Sequence, residues 1–159
     1  MRPWHNLLPK AEDVVLGYVR SNADVMGGVS IYGSMEVIVG AGLKVPYITV
    51  ICDTANPIAD EVDYCEINTE EIELRITICT RSKDSEVDMI TCRDIHHNLV
   101  GVVKGLFRHS DIATKLNTIV ISNITISRIS RPKQSFKPRD TFYETELEFS
   151  LTADAVEAL

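Results

Sequence analysis

Glu71-Ile72-Glu73-Leu74-Arg75-Ile76-Thr77-Ile78 alternates polar and apolar side chains without a slip, which is the two-residue period of a half-buried strand. The strand predicted over 71–81 puts Ile72, Leu74, Ile76 and Ile78 on one face, and Glu71, Glu73, Arg75 and Thr77 on the other. One face packs on helices while the other meets water or a partner, as antiparallel sheets often do. Ser85, with Asp88 three residues later, marks the start of a long amphipathic helix over 87–107. Its expected apolar stripe is Cys92, Ile95, Leu99, Val102 and Leu106, with His96 at the stripe's border and His97 facing outward. Gly101 and Gly105 weaken this helix and would let it pack closely on a sheet. Two strand-like runs, 119–129 and 141–151, close the pattern. In the first, Ile119 and Ile121 are out of phase with Ile124 and Ile126, which predicts a bulge or bend at Ser122-Asn123.

Toward the N-terminus, Ala11, Val14, Val15, Tyr18 and Val19 recur at spacings of three and four, predicting a helix over 10–21 that starts near Pro9. Glycines punctuate 24–46, where 29–32 and 36–39 read as short β-like runs. A strand over 46–52 follows, with Pro46 at its first residue, where no ladder bond is lost. Asn56 and Pro57 then mark a turn inside the acidic connection 53–70, and the tail from Ala153 onward is expected to be loosely held. The pattern as a whole predicts an α+β fold. It has a mainly antiparallel sheet, an N-terminal helix, one long helix packed on one face and a long hairpin loop.

Composition narrows the function classes. With 159 residues and 45% apolar content, the chain suits one globular domain spanning 1–159. No run approaches the roughly 18–20 apolar residues of a membrane helix. The opening residues, 1–9, are too short and polar for a signal peptide, so a cytosolic site of synthesis is expected. A net charge of −7 argues against non-specific nucleic-acid binding, which needs a positive field. Cys52, Cys65, Cys79 and Cys92 never form a Cys-x-x-Cys pair, so they read as core residues rather than a zinc site or disulfide framework.

Motifs for catalysis fail on inspection. Val37-Ile38-Val39-Gly40-Ala41-Gly42 resembles the opening of a dinucleotide site, but Val45 stands at the third-glycine position and Pro46 begins an extended segment. His96 and His97 are adjacent, about 100° apart on a helix, and cannot act as a facial pair of ligands. Neither a nucleophile elbow nor a calcium-loop spacing occurs. No enzyme activity, cofactor or metal is expected. The strongest candidate is a proline-punctuated basic loop, in which Arg128, Arg131, Lys133, Lys137 and Arg139 crowd together in a net-negative chain. It reads either as a solvated hairpin tip or as a docking arm, whose target is an acidic face on a different protein or the acidic 53–73 stretch of another copy, with Asp60, Glu61 and Asp63 as the acidic contacts. Opposite patches on one chain favour head-to-tail contacts that can close into rings.

The order of elements resembles the tail-terminator or tail-completion proteins of tailed bacteriophages. The likeness rests on the helix at 10–21, the strand Val45-Pro46-Tyr47-Ile48-Thr49-Val50, the strand-to-helix unit over 72–107 and the closing pair of strands. It is a likeness of architecture across most of the chain rather than of a diagnostic motif. The resemblance implies a virion structural protein at the tail–neck junction, assembled in the host cytoplasm. Such a protein forms a ring of six that caps the tail tube, ends its polymerisation and offers a surface for head–tail joining. Implied partners are further copies of the chain, the tail tube protein and a neck or head-completion protein, with DNA sliding through the lumen unbound and no membrane involved. The alternatives are a neck or head–tail adaptor of such a phage and, from another class, a small ligand- or nucleotide-binding domain.

Overall fold

The computed structural model describes residues 7–38, 42–57, 68–83, 89–108, 119–131, 133–137 and 140–155. Helix α1 (Leu7–Ser21) leads through a 3-10 turn at Ala23–Met26 into strand β1 (Ser30–Gly33) and the short helix α2 (Ser34–Ile38). Strands β2 (Tyr47–Pro57) and β3 (Asn68–Lys83), helix α3 (Met89–Arg108), and strands β4 (Ile119–Ile129), β5 (Lys133–Lys137) and β6 (Asp140–Ala155) follow. The fold is α+β. The sheet runs β1-β2-β3-β6-β4, with β5 also paired to β6; only β1 and β2 are parallel.

Its spine is the β3–β6 ladder, in register from Asn68 opposite Ala155 to Lys83 opposite Asp140. The alternation in β3 explains this. Ile72, Leu74, Ile76 and Ile78 are all buried, and so are Leu151, Phe149, Leu147 and Thr145 opposite them on β6. Helix α1 adds Leu7, Ala11, Val15 and Val19 to the same core, and α3 adds Val103 and Phe107. Phe107 joins the layers, with its ring centroid 4.8 Å from Phe149 and 5.9 Å from Tyr18. The Tyr18 hydroxyl donates to the Leu106 carbonyl at 2.6 Å, so the two helices meet on one side of the sheet. The sheet's other face carries Glu71, Glu73, Arg75, Glu144, Glu146 and Glu148, none of them buried.

Several sequence expectations are corrected. Residues 36–38 are helical rather than β-like. Glu36 reaches back to accept the Gly33 N–H at 3.0 Å, as in a capping box, and takes an ion pair from Arg20 at 3.0 Å. The Glu36 backbone N–H first, then the Arg20 guanidinium and the Gly33 N–H, hold the Glu36 carboxyl below its usual range. Asn56 and Pro57 belong to β2 and pair with Glu71 and Glu70 instead of turning. The basic loop contains β5, so the long polar loop is a hairpin arm. The tail expected to be loose from Ala153 stays in β6 to Ala155, with Ala153 buried. On α3 the buried stripe is His96, Val103 and Phe107, one position on from the expected stripe, and Ile95 is exposed. The Ser85–Asp88 start signal and the side chain of Cys92 lie outside what is described.

The bulge expected at Ser122-Asn123 is present. The β4–β6 register shifts between Ser122 and Thr125, and again between Ile126 and Arg128. Ser130 bridges the gap between β4 and β5. Its N–H donates to the Glu146 carbonyl at 2.9 Å and its hydroxyl accepts the Glu146 N–H at 2.9 Å.

One buried carboxylate ties α1 to the sheet. Strand β1 ends at Gly33, level with Val50, so among the described residues no strand flanks β2 at Cys52 on the side away from β3. Glu12 fills that place, accepting the Cys52 N–H at 3.0 Å and the Ser34 hydroxyl at 2.6 Å. Glu12→Ala strands the buried amide, and we expect a loss of about 2–3 kcal/mol in urea unfolding. A loss below about 0.5 kcal/mol would mean that water replaces the carboxylate freely.

Candidate functional site

Cys52 and Cys79 are poorly placed to act as nucleophiles. Both are buried and reduced. Burial pushes both thiols up, with the Glu12 charge adding to the effect at Cys52, and a thiol held protonated is a poor attacking group. Burial likewise lifts the Tyr47 phenol to about 12. Among the described residues no three His, Cys, Asp or Glu side chains converge as metal ligands. Cys65 lies outside the described residues, as do Gly40 and Ala41 of the glycine turn.

His96 is fully buried between α3 and the sheet, not at a boundary as its sequence position suggests. Its Nδ1 lies 2.9 Å from the Thr80 hydroxyl and its Nε2 lies 2.7 Å from the Thr145 hydroxyl. Burial first, and the neighbouring His97 second, pull its pKa down to about 4. His97 is exposed, as expected. Both His96 nitrogens are occupied by core hydroxyls, so this ring holds the fold together and does not present chemistry to solvent.

The basic residues are placed differently from a free docking arm. Register sets Arg128 opposite Glu148 and Lys133 opposite Glu144 on β6, while Lys137 faces Asp140. Arg128, Arg131 and Lys133 are all exposed. The stretch is therefore partly a cross-strand charge ladder within one chain. Arg131 falls between β4 and β5 and has no residue across from it in either ladder. Arg139 lies outside the described residues, as do Asp60, Glu61 and Asp63. Of the acidic 53–73 stretch, Asp53 pairs with Arg75 at 3.3 Å, and Glu71 accepts the Ser150 hydroxyl at 2.8 Å.

The surface feature that sequence reasoning missed lies along β4. Among the described residues β4 has a neighbour only on its β6 side, and none of them pairs with its outer edge. Beside that edge, α3 and β4 border a half-open groove of about 520 Å³. Phe107, Phe149, Ile124 and Ile126 form its apolar floor and wall, Gly101 and Gly105 shape its helix side, and Lys104 and Arg108 stand at its rim. A Cβ at either glycine would meet nothing within 4 Å. The glycines thus hold space open and do not bring the helix down onto the sheet. Ile126 is 39% exposed and Ile129 45% exposed, both on the helix side of β4 by register. The spacing Gly101-x-x-x-Gly105 was the available signal, but alone it reads equally as close packing.

No protein-family model matches the chain, and no curated protein matches it.

Proposed function

We propose that this chain is an assembly subunit that works by binding other protein surfaces, and specifically a ring-forming terminator of a phage tail tube. The observation that carries the reading is the β4 edge beside its groove, unpaired among the described residues, with Ile126 and Ile129 left to solvent. A lone subunit with such an edge is incomplete, and a neighbour that covers it removes both the edge and the apolar surface from water. The opposite edge, β1, is only four residues long, so the two edges differ and a head-to-tail contact is favoured over a two-fold one. The narrower identity, a ring capping a tail tube and meeting a neck protein, rests on the resemblance of element order. The acidic sheet face, with Glu71, Glu73, Glu144, Glu146 and Glu148, suits a lumen that DNA passes without sticking.

Light scattering at low and near-physiological salt tests this reading. The expected result is a ring near six subunits at high protein concentration, loosened as salt rises. Arg131→Glu with Lys133→Glu should weaken association about tenfold at low salt and much less at high salt. A chain that stays monomeric at every concentration, with the charge variants indistinguishable from it, overturns self-assembly as its mode of action.

A further inference from the structure

We propose that the two ends of the sheet's polar face bind each other across copies, with Arg131 and Lys133 of one chain docking on Glu71 and Glu73 of a second. The proposal rests on the assembly reading above and names the charge contact that orients one subunit on the next.

The negative end lies on β3. The two-residue period that buries Ile72 and Leu74 turns Glu71 and Glu73 to the opposite face, where both are exposed. The next residue on that face of β3 is Arg75, and Asp53 already holds it at 3.3 Å. Glu71 accepts the Ser150 hydroxyl at 2.8 Å, and Glu73 has neither an ion pair nor a side-chain hydrogen bond among the described residues. This end of the face therefore carries negative charge that no described cation offsets.

The positive end is held out rigidly. Ser130 grips both backbone groups of Glu146, each at 2.9 Å, and Lys133 opens β5 opposite Glu144. Arg131 stands between those two fixed points, so its backbone has little freedom left to lose on binding. Arg131 and Lys133 are exposed, and neither makes an ion pair with a described residue. Register fixes the face that Lys133 shares. It lies opposite Glu144, Glu144 lies opposite Cys79, and Cys79 follows Glu71 and Glu73 in the two-residue period of β3. One row further along β3, Arg81 is exposed on the same face.

The ladder decides between the same copy and a second one. Glu73 lies opposite Ser150 and Lys133 lies opposite Glu144, with no register shift between them along β6. That separation is about 20 Å. Two side chains cannot close it while the sheet is intact, and screening over about 8 Å at physiological ionic strength keeps the two ends from neutralising each other through solvent. Opposite charges fixed at opposite ends of one rigid body are satisfied end to end by a second copy. The contact is either heterologous, repeating into a ring or filament, or two-fold, with both ends engaged at once between antiparallel sheets. Exposed ion pairs contribute little each, so this contact sets register and partner choice more than affinity. Glu146 and Glu148 lie between the two ends and outside the contact.

Two charge-reversed chains test this, one with Arg131→Glu and Lys133→Glu, the other with Glu71→Lys and Glu73→Lys. Circular dichroism checks that each is folded. In sedimentation at low salt, each alone should associate at least about tenfold more weakly than the native chain, because like charges then meet. An equimolar mixture of the two should regain native association, since every positive end again finds a negative one. A single chain carrying all four reversals should regain it as well, and the differences should shrink at high salt. Recovery into rings supports the contact and the ring together. If the native chain and the mixture stop at dimers, the contact stands and the ring reading fails. If rings form and both reversed chains form them as readily as the native chain, the contact is overturned and the ring reading survives. If both reversed chains are weakened but neither the mixture nor the fourfold reversal recovers, the two ends meet other surfaces and their pairing is overturned. A native chain that stays monomeric at every concentration overturns both.

Discussion

Phe149→Ala is expected to cost about 3–5 kcal/mol, a loss at the top of the range for a side-chain truncation, because Phe149 is the largest fully buried side chain among the described residues. Phe149 sits on the central strand β6, opposite Leu74, and is 1% exposed. Its ring stacks at a tilt against Phe107 with centroids 4.8 Å apart, so truncation removes both the transfer free energy and an aromatic contact. It also floors the existing groove beside α3. The space vacated would merge with that groove and admit water, and collapse around the gap cannot recover the loss. Against a usual domain stability of about 5–15 kcal/mol, the variant should unfold at a much lower urea midpoint with little change in slope. A loss below about 1.5 kcal/mol would mean that Phe149 is not packed as described. The same argument explains why Ile126, half in solvent on the groove wall, is the better probe of docking: changing it alters the surface and leaves the core intact.

The legible parts of the fold are those where burial and chemistry agree with a simple period. In β3 and β6 one face is wholly buried under two helices, so Ile72 to Ile78 and Leu147 to Leu151 alternate cleanly and their strands are predictable. The phase change between Ile121 and Ile124 revealed the bulge for the same reason. Helix α3 was misphased by one position because its innermost residue at that level is His96. Two threonine hydroxyls satisfy that imidazole, and nothing in a one-dimensional pattern marks Thr80 and Thr145 as its partners. Likewise Glu12 reads as a surface residue on α1 until β1 stops short and leaves the Cys52 amide to be capped. The basic residues were visible as a cluster, but their cross-strand partners depend on register across β4, β5 and β6, which composition does not encode. The groove itself is a product of two glycines meeting an offset edge strand, a conjunction of elements far apart in sequence.

His96 should make the protein's stability fall as the pH drops below neutrality. In the folded chain its pKa is pulled down to about 4 from an ordinary 6.5. Between those values the unfolded chain binds a proton that the folded chain refuses, so stability rises with pH across this window. The His96 contribution is complete above about pH 6.5, drains away as pH falls towards 4, and levels off below it. The whole effect is about 3 kcal/mol at most. Hydrogen bonding does not set this direction. Either tautomer of the neutral ring donates through one nitrogen and accepts through the other, and a hydroxyl can rotate to suit a second donor. The cost is that of placing a positive charge where Thr80, Thr145 and Tyr143 supply no countercharge and water is excluded. Carboxylates titrate in the lower half of the same window, so the decisive quantity is a difference. Urea unfolding of the native chain and of His96→Asn, compared at pH 7.5, 6, 5 and 4, should show the gap between them shrinking as the pH falls. His97→Asn should leave most of the native pH dependence in place, because burial outweighs the neighbouring imidazole at His96. Parallel curves for the native chain and His96→Asn would mean that the ring is solvated or already charged in the fold, and the packing of α3 over Thr80 and Thr145 would then have to be redrawn.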